Sequence, residues 1–132
     1  MDQYLNSKTE QNIKKILMVE DDNSMAEVYI KRLEIEGFEV KRVDNGETAL
    51  ATAVEYHPDL IMLDVMMPKI NGFEVLDILK NTPVTSQIKV IMLTALGQDS
   101  DKEKAKSLGA DDYLVKSQIV ITEVIDRIKT II

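Results

Sequence analysis

Short apolar runs that stop abruptly at a polar residue recur along this chain. Ile16-Leu17-Met18-Val19 is followed by Glu20, Leu60-Ile61-Met62-Leu63 by Asp64, Val90-Ile91-Met92-Leu93 by Thr94, and a shorter Leu114-Val115 by Lys116. Unbroken apolar runs of this length suit strands buried on both faces, as in a parallel sheet covered by helices. The stretch holding Phe38, Val40 and Val43 is different, because Glu39, Lys41 and Arg42 are mixed into it. That mixture predicts a half-exposed strand at a sheet edge.

The segments between the runs carry helix signals. Ser24 with Glu27, Asp44 with Glu47 and Asn71 with Glu74 each place a capping side chain three residues before a glutamate. Met25, Val28, Tyr29 and Leu33 follow helical spacing, and Gly37 supplies a C-terminal stop. Ala49, Leu50, Ala53 and Val54 repeat the pattern until His57-Pro58 ends it; Phe73, Leu76, Ile78 and Leu79 form a third helix. The last uses Ile121, Val124, Ile125, Ile128 and Ile132. Between Gly97 and Gly109 the apolar face thins to Ala105 and Leu108. That helix is therefore weakly anchored and among the first elements expected to move.

Five strands alternating with five helices predict a single α/β domain with an open, doubly wound parallel sheet. Right-handed crossovers leave few topologies. With the polar second strand at one edge and the short fifth at the other, the order is 2-1-3-4-5, whose ligand site lies beyond the carboxyl ends of strands 1 and 3. Residues 1–12 carry no clear pattern and read as a loose tail or short helical extension, with residues 13–132 as the domain.

Composition narrows the chemistry. A chain of 132 residues that is 45% hydrophobic can build one core. It has no cysteine, which excludes disulfides, thiolate metal sites and a thiol nucleophile. No apolar run is long enough to span a membrane, and the first residues lack the basic and apolar regions of a signal peptide, so the default location is cytoplasmic. The net charge of −7 argues against nucleic-acid binding by this domain, since that binding relies on basic residues. The surplus acid fits either ordinary solubility or a cation site.

In the expected sheet the residues after each run converge on one rim: Glu20, Asp21 and Asp22 from strand 1, Asp64 from strand 3, Thr94 from strand 4 and Lys116 from strand 5. Clustered carboxylates repel, and a divalent cation relieves that repulsion. An all-oxygen set suits Mg²⁺, while Thr94 offers a hydroxyl and Lys116 a point charge for phosphate oxygens. The set suits phosphoryl transfer to a carboxylate. Each piece also has a plainer reading: Glu20-Asp21-Asp22 as a solvated turn capping the next helix, and Thr94 or Lys116 as an incidental residue after a strand. What favours chemistry is that all four strand ends are polar and complementary. His57, the only histidine, precedes strand 3 at the opposite end of the sheet and reads as a loop residue. The five glycines form no phosphate-binding motif.

From about Lys14 to Ile132 the sequence resembles the CheY-like receiver domains of two-component response regulators. The resemblance is carried by Ile16-Leu17-Met18-Val19-Glu20-Asp21-Asp22, Leu63-Asp64-Val65-Met66-Met67-Pro68 with Gly72, Met92-Leu93-Thr94-Ala95, and Gly109-Ala110-Asp111-Asp112-Tyr113-Leu114-Val115-Lys116. It implies a flavodoxin-like (βα)5 fold and Asp64 as acceptor of a phosphoryl group from the phosphohistidine of a sensor histidine kinase or phosphotransfer protein. It further implies Asp21 and Asp64 as side-chain Mg²⁺ ligands, Glu20 acting through water, and the Met66 carbonyl completing the site. Thr94 and Lys116 would contact the phosphoryl group, and Tyr113 would rotate inward as Thr94 is drawn toward it. That change would switch the surface of helix 4, strand 5 and helix 5 for a downstream protein effector. Such a domain is not a turnover enzyme; it catalyses its own phosphorylation and slow dephosphorylation. Oligomeric state stays open, homodimerisation on phosphorylation included.

Two positions depart from the family pattern. Ser117 follows Lys116 where the family usually has proline, and a trans bond is expected there. Met66 and Leu96 are apolar at positions where polar residues help orient attacking water, which implies slow loss of phosphate. The competing reading is a protein-binding module of the same fold that works without phosphorylation, and Ser117 is its main support. A phosphatase or flavin carrier is weaker: Asp64-Val65-Met66 lacks a second acid, and aromatics make up only 5% of the chain.

Overall fold

A computed structural model describes residues 13–132; the expected tail over residues 1–12 lies outside the described residues. Strands β1 (Lys15–Val19), β2 (Glu39–Val43), β3 (Leu60–Leu63), β4 (Lys89–Thr94) and β5 (Asp112–Val115) alternate with helices α1 (Asn23–Ile35), α2 (Gly46–Tyr56), α3 (Gly72–Lys80), α4 (Asp99–Ser107) and α5 (Ile121–Ile131). All pairings are parallel, in the order β2-β1-β3-β4-β5. This is the flavodoxin-like doubly wound fold expected from the pattern of runs. A 3₁₀ turn at Lys116–Gln118 joins β5 to α5.

The pleat explains why the runs are apolar at every position. Leu17, Val19, Ile61, Leu63, Val90 and Met92 face α2, α3 and α4. Their neighbours Ile16, Met18, Leu60, Met62, Ile91 and Leu93 face α1 and α5. Each side needs its own hydrophobic layer, so no position within the buried runs 16–19, 60–63 and 90–93 is free to be polar. Strand β2 has no fully buried residue, as its mixed sequence implies for an edge.

Helix starts differ from the sequence expectation at two of three places. The α1 cap is Asp22, whose side chain accepts a hydrogen bond from Met25 N at 3.0 Å, and not Ser24. Asn45, not Asp44, caps α2 by accepting from Thr48 N at 2.9 Å. The Asn71–Glu74 capping box of α3 is present with both reciprocal bonds. Val28, Val54 and Ile78 are exposed, and Ala26 and Val75 take the buried positions on their helices. His57 ends α2 at φ 51 on the exposed surface, a loop residue as expected.

Helix α4 is as thinly anchored as its sequence implies: Ala105 is its one buried residue, and Gln98 gives its start no side-chain cap. Lys104 Nζ also lies 4.7 Å from the centroid of the Phe73 ring on α3. No helix among the described residues is long and apolar enough to cross a membrane.

Candidate functional site

The β-ladder runs one residue past the ends of β1 and β3. Glu20 N donates to Val43 O at 3.1 Å and Asp64 N to Val19 O at 3.2 Å. The chain therefore holds both acids in line with the sheet before it turns away. Glu20 is 2% exposed and Asp64 4%. Such buried carboxylates need partners, and the short β5 supplies one. Lys116 Nζ crosses the rim to Glu20 Oε1 at 2.7 Å and Asp64 Oδ2 at 2.9 Å. The other Asp64 oxygen accepts from Met66 N at 3.1 Å, and Glu20 Oε2 accepts from Asp22 N at 3.2 Å.

Asp21 completes the group from an exposed position, and among the described residues its carboxylate has no hydrogen-bond partner. One oxygen each of Glu20, Asp21 and Asp64 lie within 4.8 Å of one another. Asp22 stands apart from this cluster because its side chain caps α1. An all-oxygen donor set with one free, solvent-facing carboxylate and two buried ones fits a hard divalent cation such as Mg²⁺. The uncompensated charge points the same way, since three carboxylates face the single ammonium of Lys116.

Burial pushes the Glu20 carboxyl up from its usual range, and the nearby Asp64 charge adds to this against the bond from Lys116. For Lys116 burial acts downward, but its bonds to Glu20 and Asp64 outweigh that and hold the ammonium more tightly than usual. The lysine reaches the acids with Ser117 after it, and all peptide bonds among the described residues are trans.

Thr94, fully buried, closes β4 beside this group, and its Oγ1 accepts a long 3.4 Å hydrogen bond from Leu96 N. Tyr113 donates from its hydroxyl to Leu96 O at 2.8 Å, tying β5 to the loop that follows Thr94. Burial, helped by the Asp101 and Asp64 charges, pushes the Tyr113 phenol up to about 12. Met66 is 57% exposed; with Leu96, Phe73, Val65 and Met67 it lines a mainly apolar groove of about 500 Å³ that reaches Asp21.

Two further features hold the site. At Gly72 an added Cβ would stand 2.2 Å from Asp64 O and 2.8 Å from Val65 Cα, so α3 starts hard against the backbone of the acid turn. Arg42, read from sequence only as part of a polar edge strand, donates from Nε and Nη2 to Glu20 O at 3.1 and 2.7 Å, and from Nη1 to Asn23 Oδ1 at 2.8 Å. Its one sequence signal is a charged residue near the carboxyl end of a strand, beside the rim.

The model of the response regulator receiver domain matches residues 16–129. The chain is similar to the DNA-binding dual master transcriptional regulator RpaA of Synechocystis, at 40% identity over 118 residues, which are 89% of this chain and 48% of that protein. It spans about half the length of the curated relatives it matches. Among solved structures, the receiver domain of Francisella response regulator 1452 is 30% identical, with TM-score 0.83 over 89% of this chain and 95% of that one. The chemotaxis response regulator CheY4 of Vibrio cholerae is 27% identical, with TM-score 0.84 over 92% of this chain and 100% of that one.

Proposed function

Because the chain belongs to the response regulator receiver domain family, we propose that it is a phosphoacceptor that takes a phosphoryl group from a phosphohistidine onto Asp64. The observation that carries the reading is Asp64 itself. It is a nearly buried carboxylate at the end of a central strand, bonded by Lys116 at 2.9 Å and gathered with Glu20 and Asp21 within 4.8 Å.

In the transfer an Asp64 oxygen forms a bond to phosphorus as the phosphorus–nitrogen bond to the donor imidazole breaks, leaving an aspartyl phosphate. Asp21 and Asp64, Glu20 through water, and the Met66 carbonyl would hold Mg²⁺. The ion when bound neutralises charge on the phosphoryl oxygens. Lys116 supplies a second positive charge already bonded to Asp64, so little reorganisation is needed as charge shifts. Thr94 lies at the end of the neighbouring strand with a hydroxyl held only by a long bond, free to turn to a new acceptor. Met66 and Leu96 flank the mouth of the site with apolar atoms, which keeps the acyl phosphate from ordered water and slows its hydrolysis. The domain is in this reading a catalyst of its own modification, with no turnover of a separate substrate.

The partners that follow are a sensor histidine kinase or phosphotransfer protein upstream and a protein effector downstream. Ser117 is the main support for a phosphorylation-independent binding module, yet Lys116 bonds to both acids with that residue in place. The test is intact mass after incubation with Mg²⁺ and a small phosphodonor such as acetyl phosphate. One added phosphoryl group, absent in Asp64→Ala, is expected. No gain with any of several donors overturns the proposal and favours the binding-module reading.

A further inference from the structure

We infer that Arg42 is a positioning residue for the carboxylate site: it clamps the peptide linking Glu20 to Asp21 and so aims Asp21 at Asp64. The inference rests on the Mg²⁺-binding reading of that cluster. Glu20 is held at every other polar group: its N donates to Val43 O, its Oε1 accepts from Lys116 and its Oε2 from Asp22 N. Its carbonyl is the remaining handle, and Arg42 occupies it with two donors, at 2.7 and 3.1 Å. A third donor of the same guanidinium reaches Asn23 Oδ1 at 2.8 Å, on the first residue of α1. The turn carrying Asp21 is thereby pinned on both sides by one planar group. An ammonium offers no such fork.

Asp21 needs this because its own side chain has no fastening. Among the described residues it makes no hydrogen bond, so what the chain fixes is the direction of its Cα–Cβ bond, set by the orientation of the 20–21 peptide. A rotation there swings the free carboxylate away from Glu20 and Asp64 and opens the cluster. Residues that orient metal ligands from outside typically change affinity by about 10–100-fold when removed.

Charge and positioning predict opposite signs, which makes the test decisive. Arg42→Met keeps an unbranched apolar stem and removes the charge and donors. Were the guanidinium only a nearby positive charge, its loss would tighten Mg²⁺ binding. As a clamp, its loss weakens binding by roughly tenfold. Arg42→Lys keeps the charge and one donor and should fall between the two. Mg²⁺ titration by calorimetry on wild type and both variants measures this, with melting temperatures in EDTA taken alongside. Weaker binding in Arg42→Met with partial recovery in Arg42→Lys supports the clamp. Unchanged or tighter binding in Arg42→Met overturns it, including where only the melting temperature falls. Should Arg42→Met fail to fold, Arg42→Lys decides by the same measurement, and affinity equal to wild type overturns the clamp. Wild type that binds no Mg²⁺ overturns the metal reading itself, and the clamp with it.

Discussion

Lys116→Met isolates the electrostatics of the site in one substitution. The side chain keeps its length and its apolar stem can still pack, but the ammonium bonded to Glu20 at 2.7 Å and Asp64 at 2.9 Å is gone. Two buried carboxylates then face each other with Asp21 beside them. Removing one partner of a fully buried ion pair costs about 3–5 kcal/mol. The lysine side chain retains 16% exposure and Asp21 is open to water, so screening reduces the loss. We take about 2 kcal/mol at neutral pH without divalent ions, which for this chain length lowers Tm by about 8 °C. The pH dependence has a definite sign. Burial already raises the Glu20 carboxyl above its ordinary 4.5, and losing the bond from Lys116 raises it further. A carboxyl whose folded pKa is raised contributes stability below its unfolded value and loses it as pH climbs through the folded value. The deficit should therefore be largest at neutral pH and shrink toward roughly pH 4–5. Mg²⁺ replaces the missing charge and binds only the folded chain, so its stabilisation should exceed that in wild type. Thermal melts of both proteins at pH 4.5 and 7.5, in EDTA and in Mg²⁺, provide the assay. A deficit equal at the two pH values, or a smaller Mg²⁺ effect in the variant than in wild type, refutes the reasoning.

Other expectations follow from particular contacts. Gly72→Ala forces a Cβ to within 2.2 Å of Asp64 O, so the start of α3 or the acid turn must shift. We expect a loss of about 1–3 kcal/mol in urea unfolding, and a variant as stable as wild type would disprove the close approach. Met66→Asn with Leu96→Glu gives the apolar groove two polar groups able to orient water; phosphate loss from the phosphorylated variant should be severalfold faster, and an unchanged rate counts against shielding. The Tyr113 phenol is pushed up to about 12 by burial and the Asp101 and Asp64 charges, so its neutral form contributes stability below the unfolded value near 10 that is lost as pH rises through about 12. The difference in alkaline absorbance titration between wild type and Tyr113→Phe should place the Tyr113 step near pH 12; a difference step near 10 would mean that the ring is not buried beside these acids in solution.

The fold was legible because a parallel sheet buried on both faces leaves a mark in nearly every residue of its strands. Ile16 and Leu17 serve opposite cores, yet both must be apolar. The same logic exposed Glu20, Asp64, Thr94 and Lys116, since each interrupts a run where the sheet meets its rim. Helix starts were harder because Asp22, Asn23 and Ser24 can all cap a helix. The choice falls to Asp22 because its own N–H is already held by Glu20 Oε2, fixing where the chain turns. Helical spacing also placed Val28, Val54 and Ile78 on inner faces that the structure fills with smaller or neighbouring residues such as Ala26 and Val75. Arg42 left almost no trace, because its main partner is a backbone carbonyl, which every residue possesses and no pattern of side chains encodes.

Helix α4 is held by far less energy than α3. Helix α3 buries five residues, whereas α4 buries Ala105 alone. A further side-chain tether to α3 is the Lys104–Phe73 contact at 4.7 Å, worth roughly 0.5–1 kcal/mol at an exposed site. The loop leading into it is fastened by the Tyr113–Leu96 hydrogen bond, worth about 1 kcal/mol. A new contact at Thr94 that exists only with a phosphoryl group on Asp64 need supply only a similar energy to redistribute these positions. Such a hydrogen bond to a charged oxygen contributes about 1.5–3 kcal/mol. Placed at α3, the same energy would act against four buried side chains, Phe73, Val75, Leu76 and Leu79, and would move little. On the proposed reading, the sparse apolar face of α4, a defect by the standard of core packing, would let one phosphoryl contact act at a distance.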